Sequence, residues 1–267
     1  MGGECIELNG RRARAHDLRA LALVNYGHFT SMQVRDGCVR GLDLHLERLR
    51  HATTELFGSA LDVERTRAWM RQAVGATRAP LSLRVTVFSR ALDRDRMALP
   101  AAADVLVSTA AARDAAPAPL RVKSVVHRRE APHIKHVGTF GLFHQRRLAQ
   151  SLGYDDALFV DSDGAVSEGS IWNVGFFDGE RIVWPDAQQL DGVSMQLLKA
   201  GLRARGVAQV ERRVDLAGIA SFRAAFFTNS SCFARPLAAI DAVVLAIDTP
   251  LPDLLAAAWA SQPWQRI

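Results

Sequence analysis

The sequence predicts an α+β protein in two parts, and three observations carry that reading. Short alternating segments run into or meet across Asn9-Gly10, Asp36-Gly37, Asp163-Gly164 and Asp178-Gly179, the pattern of antiparallel hairpins. Stretches with apolar residues at every third or fourth position are segregated from these runs of strands, as helices are in an α+β chain. Between Ala110 and Pro119 the chain turns Ala/Pro-rich and loses its periodicity, the composition of a linker.

The elements follow in order. Cys5–Arg11 alternates into a turn at Asn9-Gly10, and Val34–Arg40 repeats the pattern around Asp36-Gly37. From Leu44 to Phe57 the apolar positions Leu46, Leu49, Ala52, Leu56 and Phe57 make one helical face, stopped by Gly58. A second helix is expected over 63–74, then strands at Leu81–Phe88 and Asp104–Ser108. Past the linker come a strand at Leu120–Val126 and a helix from about Gly141 to Leu152, ended by Gly153. Asp156–Asp161, Ala165–Glu168, Asn173–Phe177 and Arg181–Trp184 then read as short strands in antiparallel succession. A helix should begin near Ser194 and end at Gly206. Strands at Ala224–Thr228 and Ala242–Ile247 and a short helix around Leu251–Trp259 close the chain. The expected division is a small domain over 1–112, a linker over 113–119 and a larger domain over 120–267.

Composition narrows the function classes. No apolar run approaches the roughly 20 residues of a membrane-spanning helix, and the N-terminus lacks the layout of a secretion signal, so a cytoplasmic protein without a membrane partner is expected. Cys5, Cys38 and Cys232 are widely spaced, which fits a reducing compartment and gives no zinc-ligand pairing, so no metal is expected. The net charge of +5 comes from arginines scattered along the chain, not gathered in a basic block, so a nucleic-acid partner is not expected either.

Lysine is nearly absent: Lys123, Lys135 and Lys199 are the only three among 33 basic residues. Lysine alone of the two cationic side chains can shed its proton in a site and act as nucleophile or base. Lys135 stands between apolar and imidazole neighbours in Pro132-His133-Ile134-Lys135-His136-Val137. Taken singly it also reads as a surface amine with a buried stem, Glu168 as a solvated strand-end acid, and Arg48 as a partner of Asp43 or Glu47 on its own helix.

Order and spacing change the weight of these residues together. Lys135 and its following helix, then Gly153 through Val174 with Glu168 after the Asp163-Gly164 turn, then Leu190-Asp191-Gly192-Val193-Ser194, closely resemble the signature of class IV aminotransferases, the fold-type-IV pyridoxal-phosphate enzymes. Upstream, Phe29-Thr30-Ser31, Val34-Arg35-Asp36-Gly37 and His45-Leu46-Glu47-Arg48-Leu49 match the N-terminal domain of that family in the same order. The resemblance runs from about Tyr26 to Pro236. It implies a small N-terminal α/β-sandwich domain, a larger C-terminal domain with a β-barrel-like sheet and flanking helices, and a homodimer.

It also implies site residues. Lys135 would hold pyridoxal 5'-phosphate as a Schiff base and then move the proton between the substrate α-carbon and cofactor C4′. Glu168 would face the pyridine nitrogen. Arg48, the amides of Val193 and Ser194 at a helix start, and Thr228 with Asn229 nearby would bind the phosphate. Tyr26, His28 and Phe140 would lie along the substrate walls. The reaction implied is transfer of an amino group between an amino acid or amine and a 2-oxo acid. Phe29-Thr30-Ser31 is also near the Phe-Thr-Thr run of aminodeoxychorismate lyases, which keeps open the alternative of releasing 4-aminobenzoate and pyruvate.

Three departures from the family pattern stand out. Phe140 occupies the place of a frequent tyrosine, Met195 replaces an arginine common after the glycine turn, and the loop at Tyr26-Gly27-His28-Phe29 is shorter. His133, His136, His28 and His45 are packed imidazoles or, alternatively, tune the lysine or meet a substrate carboxylate. Arg35 and Arg84 sit on strands, as carboxylate clamps or on a solvated face.

Overall fold

In a computed structural model, which describes residues 5–112, 118–247 and 249–267, the chain forms two compact units. The first comprises Met1–Asp114, Ile134–Gly138 and Pro263–Ile267, the second Ala115–His133 and Thr139–Gln262. The contiguous division expected from the sequence is therefore crossed twice, because two short later segments fold with the first unit. Residues 113–117 of the expected linker lie outside the described residues.

The first unit is a five-stranded antiparallel sheet with helices packed on it. Its strands are β1 (Cys5–Leu8), β2 (Arg11–Arg12), β3 (Gly27–Val34), β5 (Leu81–Phe88) and β6 (Asp104–Ala111), in the order β2-β1-β6-β5-β3. A short helix α1 (Arg19–Val24) and strand β4 (Cys38–Arg40) flank β3, and β4 pairs with the strand Trp264–Arg266. Helices α2 (Leu42–Phe57) and α3 (Val63–Val74) present Leu46, Leu49 and Met70 to Leu83, Val85, Val87 and Val107 of the sheet. This core forms because period-two apolar residues on the strands meet period-3.6 faces on the helices. At the sheet edge, Phe29 N–H donates to the Lys135 carbonyl (2.9 Å), Val137 N–H donates to the Gly27 carbonyl (2.9 Å), and His136 bridges to His28. Ile134–Gly138 thus continues the hydrogen-bond ladder of β3 and fixes the backbone of Lys135 beside Phe29.

The second unit is built on β7 (Leu120–Val126), β8 (Asp156–Val160), β9 (Val166–Gly169), β10 (Asn173–Phe177), β11 (Ile182–Pro185), β12 (Gln209–Arg212), β13 (Ala224–Thr228), β14 (Arg235–Ile240) and the short β15 (Val243–Val244). Pairing of β10 with both β9 and β13 closes a six-stranded barrel from β10, β13, β14, β7, β8 and β9. Val122, Leu158, Val174, Phe176 and Leu237 belong to its apolar interior cluster. Helix α4 (Phe140–Ser151) packs on β8, while α5 (Val193–Ala204) and α6 (Leu251–Ala260) pack against each other. Met195 is buried in their shared core with Leu198, Phe226 and Leu255. The strand expected at 242–247 shrinks to β15, and the principal strand there is β14, whose Pro236 and bulge between Leu237 and Ala239 hide its alternation. Among the described residues, no helix is long and apolar enough to cross a membrane.

Candidate active site

The first unit gathers Phe29, Thr30, His45, Arg48, Arg84 and Lys135. The Lys135 Nζ lies 5.1 Å from the Phe29 ring centre, and the Arg84 guanidinium 3.5 Å from it. Arg48 is carried one helical turn beyond His45 on α2, and its Nη2 donates to Thr30 Oγ1 on β3. Thr30 Oγ1 is in turn 2.6 Å from His45 Nδ1. His45 is 3% exposed, and burial, then the positive charges of Arg48 and Lys135, hold it well below the usual imidazole range.

Two residues expected at substrate walls are built into this unit's framework. His28 is 1% exposed. Its Nε2 lies 3.0 Å from Thr53 Oγ1, whose own proton goes to the Leu49 carbonyl (2.7 Å), so Nε2 is the protonated nitrogen. Burial, aided by Arg48, pushes its pKa down to about 3. The alternation of β3 aims this ring at α2, which accounts for the difference from expectation. The Tyr26 hydroxyl donates to the Leu56 carbonyl at 3.4 Å and its ring meets Phe57 edge-on.

The second unit assembles the other candidates along one row. Glu168 of β9 and Thr228 of β13 are both register partners of Asn173 on β10. Directly opposed residues point to the same sheet face, so the three side chains project together. The Glu168 Oε1 accepts from Arg129 Nη1 at 3.0 Å, and Oε2 accepts from the Leu190 N–H at 3.3 Å. Asn173 Nδ2 donates to the Leu190 carbonyl (2.7 Å) and to Gln189 Oε1 (3.0 Å). Gly192 then passes so close that a Cβ there would lie 2.1 Å from Asn173 Oδ1. This contact brings the start of α5, with Val193 and Ser194 nearly buried, to the row. Amides in the first turn of a helix have no partner within it and face any anion placed there.

Thr228 ends β13 fully buried, and its Oγ1 has no hydrogen-bond partner among the described residues. An orphaned buried hydroxyl in the same row as a buried carboxylate, with the start of α5 packed on that row at Asn173, offers donors for a phosphate and an acceptor for a pyridinium N–H. Pyridoxal phosphate fits these residues. Asn229 is arranged differently: its Oδ1 accepts from the Ser231 and Cys232 amides (2.9 and 3.0 Å), which holds the turn after β13. Phe140 is 78% exposed at the start of α4 and stacks on His144.

Sequence reasoning missed Arg129, Asn173 and the Thr30–His45 contact as participants. Arg129 is one of many arginines and carries no local signal. Asn173 sat inside the matched motif, and the register of β9, β10 and β13 is what gives it a role.

A six-stranded barrel with such a row on one unit, and a lysine laddered to a sheet edge on the other, defines a class that the comparisons identify. The chain belongs to the class IV amino-transferase family, whose model matches residues 27–240. A probable branched-chain-amino-acid aminotransferase of Rickettsia bellii is 29% identical over 121 residues, 43% of this chain and 42% of that protein. The matched segment therefore spans less than half of that relative. Among solved structures, a branched-chain aminotransferase from the archaeon Thermoproteus uzoniensis with norvaline aligns with a TM-score of 0.83 at 19% identity, covering 96% of this chain and 94% of that one. A Brucella abortus aminotransferase bound to PLP aligns with a TM-score of 0.79 at 19% identity, covering 90% of each chain. The fold is that of the fold-type-IV aminotransferases, as the matched motifs implied.

Proposed function

We propose that this protein is a pyridoxal-phosphate-dependent aminotransferase that moves an amino group between an amino acid or amine and a 2-oxo acid. The observation that carries the reading is the row Glu168–Asn173–Thr228 with its unpartnered buried hydroxyl beside the start of α5. When bound, the cofactor supplies the electron sink that stabilises a substrate carbanion. Lys135 Nζ would hold it covalently and, once displaced by the amino group of the substrate, would be the free amine that moves the proton of the substrate α-carbon. Glu168 would face the pyridine nitrogen and favour its protonated form. Arg48, the Val193 and Ser194 amides and Thr228 bind the phosphate, with Asn229 shaping the last loop. Tyr26 and His28 of the first unit and Phe140 of the second are the residues proposed to meet the substrate.

The reading includes a cytoplasmic homodimer. The free thiols Cys5, Cys38 and Cys232 support a reducing compartment. The exposed apolar residues Phe140, Phe143, Leu148 and Leu152 of the α4 region support a surface available to a second copy.

The test begins with borohydride reduction of the cofactor-loaded protein and peptide mass analysis. The expected label is on Lys135, and none appears on Lys135→Ala. A panel of branched-chain and other amino donors with pyruvate or 2-oxoglutarate then reads transamination. Release of 4-aminobenzoate from aminodeoxychorismate, with every donor inert, overturns the transaminase reading in favour of the lyase.

A further inference from the structure

We propose that Thr30 and His45 form a relay that aims Arg48 at the cofactor phosphate, with a neutral His45 as its terminal acceptor. This rests on the cofactor reading above and assigns roles to two residues which that reading leaves unused.

The hydrogen-bond directions follow from the donors present. The Arg48 guanidinium can only donate, so Thr30 Oγ1 accepts from Nη2 and keeps its own proton to give. The nearest recipient is His45 Nδ1, 2.6 Å away. Arg48 Nη2 also lies 3.4 Å from that nitrogen. Two donors converge on Nδ1, so it bears the lone pair and the ring proton is on Nε2. A protonated His45 would instead turn an N–H toward both donors and add a third cation beside Arg48 and Lys135. The depressed imidazole range of His45 agrees with the neutral form.

Geometry makes the relay a positioning device. Thr30 is fully buried on β3, paired opposite Val85 of β5, and its β-branched side chain has little rotamer freedom. His45 is anchored in the buried face of α2. The relay therefore ties a long, rotamer-rich arginine to both the sheet and its own helix. Because the guanidinium is a rigid planar fork, holding Nη2 between Thr30 Oγ1 and His45 Nδ1 narrows the planes open to the whole group. A pre-set plane lowers the ordering cost of a bidentate contact with phosphate.

The test compares apo-protein affinity for pyridoxal phosphate with affinity for pyridoxal, which lacks the phosphate, by quenching of tryptophan fluorescence. Thr30→Val keeps the shape and removes the hydroxyl. His45→Leu removes the acceptor. Each is expected to weaken pyridoxal phosphate about tenfold, the equivalent of one hydrogen bond to a charged group, and to leave pyridoxal within about twofold. Thr30→Ser retains the hydroxyl and His45→Asn an acceptor near Nδ1, so both should restore most of the preference. Adding Thr30→Val to Arg48→Ala should cost nothing more. Equal weakening of both ligands overturns the relay, as does an additive loss on top of Arg48→Ala, or no loss at all. If the unaltered chain binds neither ligand, the cofactor reading fails and the relay with it.

Discussion

Arg129 Nη1 donates to Glu168 Oε1 at 3.0 Å, and both side chains are only 6% exposed. A charge pair so deeply buried costs desolvation on both sides, and its survival depends on both members being present. Arg129 also donates to the Pro132 carbonyl (3.1 Å), which ties the chain just ahead of Lys135 to the Glu168 carboxylate. Removing the arginine alone leaves a carboxylate buried with a cation missing. Arg129→Met is therefore expected to destabilise the apo protein by about 3–5 kcal/mol. Arg129→Met combined with Glu168→Leu should recover much of that in denaturant melts. A double variant as unstable as the sum of the singles would show that the two residues are not coupled.

The Gly192 backbone is at φ −69°, ψ 133°, which alanine adopts freely, so conformational freedom does not explain a glycine there. Space does, because a Cβ would sit 2.1 Å from Asn173 Oδ1. Gly192→Ala must push Asn173 off Leu190 or move the start of α5. The expected cost is about 1–3 kcal/mol of stability, as for other overpacked sites, together with weaker binding of pyridoxal phosphate. Gly192→Ala/Asn173→Ala should regain stability without regaining cofactor affinity, read by thermal melts and ligand titration.

Periodicity gave away the elements that bury one face. Helix α3 and strands β5, β7 and β13 begin and end where their alternation does, and α2 starts two residues before the expected Leu44. Strand β12 escaped because Gln209-Val210-Glu211-Arg212 has one apolar residue, and β14 because proline and alanine blur its pattern. Site candidates within an ordered motif could be nominated one at a time, as Lys135, Glu168 and Thr228 were. Partnerships between them were not. Thr30 meets His45 and Arg48 only after α2 folds across β3, and Arg129 meets Glu168 from 39 residues away.

Thr228 offers a test in which stability and binding should move in opposite directions. Its buried Oγ1 is unpartnered among the described residues, and burying a hydroxyl without a hydrogen bond is unfavourable. Thr228→Val preserves shape and deletes the orphan group. The apo protein is expected to gain about 1 kcal/mol, while affinity for pyridoxal phosphate falls. A loss of apo stability would mean that the hydroxyl already has a partner, and an unchanged affinity would remove Thr228 from the phosphate site.

Acid should expose the cost of keeping His28 neutral. Its folded pKa of about 3 lies below the unfolded value of 6.5 because burial and Arg48 disfavour the imidazolium. Above pH 6.5 the residue is neutral in both states and imposes no penalty. As pH falls from 6.5 toward 3, the unfolded chain takes up a proton that the folded one refuses, so stability drops by about 1.4 kcal/mol per pH unit from this residue alone. Protonation of carboxylates adds its own slope in that range, so the difference between variants isolates the histidine. In urea melts from pH 7 to pH 4.5, His28→Asn should start less stable, having lost packing against Phe57 and the bond to Thr53. Its stability should then fall less steeply than that of the unaltered protein. Parallel pH dependences would show that the folded state protonates His28 as readily as the unfolded chain does.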